Sequence, residues 1–239
     1  MLTDRQRRLL QIIITEYVAS AVPVGSQLIV DQYWPEVSSA TVRNEMVALE
    51  ELGLIAQPHT SAGRTPTIEG YRYYIDKILD ADQAKTTSRD ERLLRSVGQS
   101  GSNETDVKSI AKQLAELVNN AVVIGFNPAQ RGSGPTDVYY TGISKLFRQP
   151  EFVQQAVMYS ISEVFDHLDD SMGKLFQRVG PDVVILLGDK NPFGASSALV
   201  IGRYRTAEGE GVIGIIGPTR LAYERSISLI RLVQSIIDE

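Results

Sequence analysis

Arg43 and Asn44 stand side by side in the run "SSATVRNEMVALEELG" (38–53). Their side chains pair directly with base edges: a guanidinium forks onto O6 and N7 of guanine, and a carboxamide bridges N6 and N7 of adenine. A few residues later comes "QPHTSAGRTPT" (57–67), with two prolines, one glycine, one arginine, one histidine and, apart from Ala62, nothing apolar to bury. A loop that touches a nucleic-acid backbone needs small residues for close approach, hydroxyls for phosphate oxygens and a cation. Thr60, Ser61, Gly63 and Arg64 supply all three. Pro58 and Pro66 reduce the entropy lost when such a loop orders. His59, taken alone, reads as an ordinary surface residue.

These side chains must be held by elements. Residues 3–21 read as a helix: Thr3 and Gln6 fit a capping box, and Leu9, Leu10, Ile13, Ile14 and Tyr17 recur at helical spacing. Ser26 caps a short second helix that runs through Tyr33 and is stopped by Pro35. Ser38 or Ser39 caps a third, with Gly53 as its glycine stop. On that helix Met46 and Leu49 fall within about 40° of Val42, which makes this face core. Ala40, Asn44, Val47 and Glu51 lie opposite, with Thr41 and Arg43 on the shoulders. On a lone helix these are ordinary solvated positions. After another helix and a tight turn they suit a recognition helix, whose first half enters a major groove. Short strands at 54–57 and 65–67 would make the loop between them a wing, and Thr67 caps a fourth helix. Arg5, Arg7 and Arg8 at the start of the first helix, and Arg72 on the fourth, are further candidates for backbone contact.

The fold class read from this pattern is α+β: an N-terminal winged helix-turn-helix domain (1–79), a polar and partly helical linker (80–108), and an α+β sheet domain (109–239). In the last, a helix at 110–118 precedes "AVVIGF", a turn-rich "NPAQRGSGPT", a strand at 137–143 and an amphipathic helical region at 151–179. Three more strands and a helix from Arg220 close it.

Composition bounds the chemistry. With 239 residues and 43% apolar content the chain is folded and long enough for two modest cores. No apolar run is long enough for a membrane span, and the N-terminus lacks a signal peptide's apolar stretch, so a cytoplasmic protein is expected. Cysteine is absent and histidine occurs twice, which excludes disulfides and thiolate sites and leaves no metal or cofactor expected. The net charge is −5, so a polyanion site must rest on where arginines sit rather than on a bulk field.

Three enzyme-like motifs fail. "GEGVIG" (209–214) spells a dinucleotide fingerprint, but it lies between two strands and not before a helix. Ser171 and Lys174 have the spacing of an acyl-transfer pair without its companion elements. Asp166, Asp169 and Asp170 near His167 read as a solvated helix face. No enzyme is expected.

The motifs "PVGS" (23–26), "SSATVRNEM-ALEELGL" (38–54) and "QPHTSAGR-PT--GYR-Y" (57–74) resemble, in order, the N-terminal domain of the HrcA heat-inducible transcription repressors. Farther on, "YYTGISKLFRQPEF" (139–152) and "IGIIGPTRLAYERSISLI" (213–230) are similar to that family's GAF-like C-terminal domain. The resemblance implies a stress-response repressor that binds double-stranded DNA, the inverted-repeat CIRCE operator of chaperone operons, as a homodimer. It implies release on heating and the GroE chaperonin as a partner. Carried onto matching positions, the reading residues are Ser39, Ala40, Thr41, Arg43, Asn44 and Val47, and the wing contacts are His59, Thr60, Ser61, Gly63 and Arg64. Family members carry an inserted dimerisation domain where only "NPAQRGSGPT" stands here, so a shortened member is expected. The alternative is a ligand-responsive regulator in which the GAF-like domain senses a small molecule.

Overall fold

The computed structural model describes residues 2–80, 86–98, 103–127, 137–153 and 155–238. They form two compact units, Met1–Leu79 and Asp80–Glu239.

In the first unit α1 (Asp4–Ser20) starts at the expected capping box. The Thr3 hydroxyl accepts from the Gln6 N–H at 3.2 Å, and the Gln6 side chain accepts from the Thr3 N–H at 3.1 Å. Helices α2 (Ser26–Gln32) and α3 (Ser39–Glu51) follow. The turn between them is closed by Trp34, which is 5% exposed and donates its N–H to the Ile29 carbonyl. Ser38 is the cap of α3, accepting from the Thr41 N–H at 3.1 Å. Strands β1 (Ile55–Ala56) and β2 (Thr65–Pro66) pair antiparallel, and a bridge from Val24 to Arg64 adds a third edge. Then comes α4 (Ile68–Lys77), capped by Thr67. Leu9, Leu10, Ile13, Ile29, Val42, Leu49 and Ile55 are all buried, so the apolar stripes of three helices and a strand share one core. This is a winged helix-turn-helix.

The second unit opens with α5 (Ser88–Val97) and α6 (Glu104–Val118), followed by β3 (Ala121–Phe126), β4 (Val138–Thr141) and the short α7 (Ile143–Leu146). A single 3₁₀ turn at Pro150–Phe152 leads to α8 (Gln155–Asp166) and α9 (Leu168–Arg178). After β5 (Val184–Leu187), the long hairpin β6 (Ser197–Thr206) and β7 (Gly209–Pro218) precedes α10 (Tyr223–Ile237). The sheet is antiparallel throughout, in the order β4-β3-β7-β6-β5.

Strand residues alternate between two covered faces. Val123, Leu199, Ile201 and Val212 join Met172 and Leu175 of α9 on one side. On the other, α10 lies so close over β6 that a Cβ on Gly202 would sit 2.7 Å from Ile230 Cγ2. Both faces are therefore dry, as an α+β layer arrangement requires. The sequence "GEGVIG" lies at the start of β7, just after the hairpin turn.

Local boundaries differ from expectation in several places. The strand expected to reach residue 143 ends at Thr141, because Gly142 takes a left-handed φ of 76° and begins α7. The helix expected from residue 110 begins at Glu104, where the Asn103 side chain caps it. The helical region 151–179 is divided at His167. Within the stretch read as a linker, α5 packs against α6 and α10: Leu94 is fully buried, and Asp90, 3% exposed, pairs with Arg225 at 3.2 Å. Most of "NPAQRGSGPT" lies outside the described residues, but the strands on either side pair directly, Gly125 facing Val138. Among the described residues no helix is long and apolar enough to cross a membrane, and no group of His, Asp or Glu is arranged to hold a metal ion.

Candidate nucleic-acid interface

The face of α3 turned away from the core carries Ala40, Arg43, Asn44, Val47 and Glu51, all exposed, while Val42, Met46 and Leu49 are buried beneath it. Ser39 and Thr41 are half-buried at the helix start. Their position follows from the cap, since the Ser38 hydroxyl also lies 2.9 Å from that of Thr41. Val47, 44% exposed, is an apolar side chain kept in solvent in the middle of the polar face.

Arg43 leans toward α2, donating from Nε to the Ser26 hydroxyl at 3.2 Å. Ser26 and Gln27 at the start of α2, Arg43 and Val47 of α3, and Thr60 and Ser61 of the loop line an open groove of about 520 Å³. Ser26, expected as the cap of α2, is instead its first helical residue, after the N-cap Gly25, whose position makes no side-chain cap bond. Neither Ser26 nor Gln27 was expected at this surface. The signal was present in "PVGS", because the tight turn that starts α2 must bring its first residues beside α3.

The loop between β1 and β2 is organised by Gln57, another residue sequence reasoning missed. Its side-chain amide donates to the carbonyls of Thr60 at 3.0 Å and Ala62 at 2.9 Å, and a turn closes from the Ala62 N–H to the His59 carbonyl at 2.8 Å. His59, Thr60 and Ser61 are left exposed at the tip, the His59 ring 3.4 Å from the Ser61 hydroxyl.

Two residues differ from their sequence-derived roles. Gly63 was expected to be small so that a duplex can approach, but it faces inward: a Cβ there would meet the Val24 carbonyl carbon and oxygen at 2.4 Å. Its smallness serves the bridge between Val24 and Arg64. Arg64 was expected to be the wing's free cation. Its Nε and Nη2 both lie 2.9 Å from Glu50 Oε2, and its side chain is 15% exposed. Its partner, the carboxylate at the end of α3, is fourteen residues away, and no local sequence pattern links the two.

At the N-terminus of α1, Arg5 lies 3.9 Å from Glu45 of α3, and Arg7 pairs with Asp4 at 3.3 Å. Arg5 and Arg8 border a shallow hollow with Trp34 and Val37, so they flank the turn that leads into α3. Arg72 on α4 pairs with Glu69. The arginines at 5 and 8 are thus brought near the reading helix, and exposed pairs of this kind exchange partners at little cost.

Comparison with known proteins gives a consistent answer. Residues 1–78 match the family described as "Winged helix-turn-helix transcription repressor, HrcA DNA-binding", and residues 77–227 match "HrcA protein C terminal domain". A heat-inducible transcription repressor HrcA of Thermomicrobium roseum is 28% identical over 335 positions, covering 100% of this chain and 95% of the relative. One from Thermobifida fusca is 35% identical over 189 positions, covering 74% of this chain and 53% of that one. An alignment of 335 positions against a chain of 239 residues leaves the longer relative with a stretch that has no counterpart here. A crystal structure described as that of a hypothetical protein superposes with a TM-score of 0.80 at 20% identity, over 100% of this chain and 98% of that one, and so shares the fold.

Proposed function

This chain belongs to the HrcA family of winged-helix transcription repressors, in a shortened form, and from that premise we infer that it represses stress-response (chaperone) operons by sequence-specific binding to duplex DNA. The observation that carries the reading is the exposed face of α3, where Arg43, Asn44 and Val47 border an open groove shared with the wing. Residues Ser39, Ala40, Thr41, Arg43, Asn44 and Val47 enter the major groove, and His59, Thr60 and Ser61 at the wing tip meet the neighbouring backbone. Arg5 and Arg8 add phosphate contacts at the N-terminus of the reading helix.

The working unit is a homodimer on an inverted repeat. A chain of net charge −5 gains little from non-specific attraction, and two linked reading helices multiply the affinity of one. Val153, Met158 and Tyr159 of the second unit are exposed apolar side chains of the kind a second copy covers. Release on heating, and maintenance by the GroE chaperonin, are part of the same reading, as is a place in the cytoplasm. The relatives carry the name of a repressor rather than of an enzyme, and the reading calls for no catalytic step.

The test is a titration of the purified chain against an inverted-repeat duplex of the chaperone-operon type and a scrambled duplex, at two salt concentrations, with the mass of the protein recorded alongside. A strong preference for the repeat by a dimer is expected. Weak binding that is blind to sequence and erased by salt would overturn the reading.

A further inference from the structure

A wing contributes to affinity when its tip is already held at the right distance from the reading helix, because ordering it on binding costs backbone entropy residue by residue. The loop between β1 and β2 has almost nothing apolar with which to hold itself. What holds it is Glu50, in the last turn of α3. One oxygen of its carboxylate accepts from Nε and Nη2 of Arg64, both at 2.9 Å, and the other accepts from the backbone N–H of Gln57 at 3.1 Å. Gln57 opens the loop and Arg64 closes it, so one carboxylate ties both ends of the wing to the helix. The Gln57 side chain extends the bracket to the tip through the carbonyls of Thr60 and Ala62. The backbone bridge of Arg64 to Val24, at 2.8 and 2.9 Å, fixes the remaining side.

We infer that Glu50 and Arg64 are positioning residues for duplex binding: their ion pair sets the distance between wing and reading helix, and the Arg64 charge is neutralised inside the domain instead of on a phosphate. The inference deepens the DNA-binding reading above and rests on it. It also gives a purpose to a carboxylate that would otherwise repel the backbone from the end of the reading helix. With a side chain 15% exposed, Arg64 gives two of its five N–H groups to Glu50, so its charge is already matched before a phosphate approaches.

The experiment uses the full chain and the inverted-repeat duplex, with Arg64→Ala, Glu50→Gln, their combination, and the exchange Glu50→Arg with Arg64→Glu. Each single change should weaken binding by roughly tenfold, in the range of hydrogen bonds to charged groups, and the combination should cost no more than either alone. The dependence of log affinity on log salt should keep its slope, and the exchanged pair should recover part of the loss. The inference is overturned if Arg64→Ala reduces the slope by about 0.9, the value of one phosphate contact, while Glu50→Gln leaves binding unchanged or tighter. Amide exchange over residues 57–64 of the DNA-free chain reads the bracket separately from duplex binding. Faster exchange in Glu50→Gln supports the inference even for a chain that binds no duplex, and unchanged exchange overturns it. Glu50→Gln keeps the side-chain shape, so this arm survives if Arg64→Ala fails to fold.

Discussion

At the scale of single residues, the interface divides into side chains that face outward and side chains that hold them. Arg43 is of the first kind. Replacing it by alanine should cost about 1–3 kcal/mol on the cognate duplex and relax the sequence preference, since a bidentate base contact carries that much discrimination. Equal losses on cognate and scrambled duplexes, measured side by side, would remove Arg43 from base reading. Gly63 is of the second kind. Adding a methyl group forces a shift against the Val24 backbone, and Gly63→Ala should destabilise the first unit by about 1–3 kcal/mol. Thermal melting checks this, and an unchanged midpoint would mean that the bridge between Val24 and Arg64 gives way easily. The outward residues were legible in sequence because exposure on a helix follows from its period. The inward roles of Gly63, Arg64 and Gln57 were not, because each depends on a partner that only the folded chain brings near.

At the scale of elements, the signals that sequence carries best are local. Thr3 with Gln6, Ser38 before α3 and Thr67 before α4 each cap the helix they were expected to cap or border. Ser38→Ala should therefore cost about 1 kcal/mol, read as a lowered melting midpoint of the first unit and frayed amide exchange at the start of α3. The second unit shows the opposite case. Residues 88–97 are polar enough to read as connecting chain, yet they dock: Leu94 is fully buried, and Arg225, 135 residues away, meets the carboxylate of Asp90. Burial alone would push that carboxyl up, but the Thr87 N–H and hydroxyl together with Arg225 outweigh it and hold it below the ordinary aspartate range. A depressed folded pKa means stability that is complete above about pH 4, the unfolded aspartate value, and is lost as pH falls through the lower folded value. Asp90→Asn should lower stability at neutral pH and flatten that acid limb. Melting midpoints of both chains against pH check the sign, and parallel curves would exclude Asp90 from the acid response.

At the scale of the whole molecule, an inverted repeat read by a dimer makes a sharp demand. Scrambling one half-site should weaken binding by about 10²–10⁴-fold, because the second contact is made at high effective concentration. Two independent monomers would lose only the altered site and bind the other as before, which a titration on the half-scrambled duplex distinguishes. The change of pattern near residue 80 suggested a linker at 80–108, a stretch that falls within the second unit, Asp80–Glu239. The layering of the second unit was less legible, since which helix covers which sheet face is decided by packing such as α10 over Gly202. Trp34 gives the molecule a property of another kind. It is the chain's one tryptophan, buried in the turn that leads into α3 and beside Arg5 and Arg8. Its fluorescence is thus a native dye at the point where the reading helix is held. Selective excitation of that indole follows the opening of the first unit alone, and a change in its emission on adding duplex would report engagement without any label.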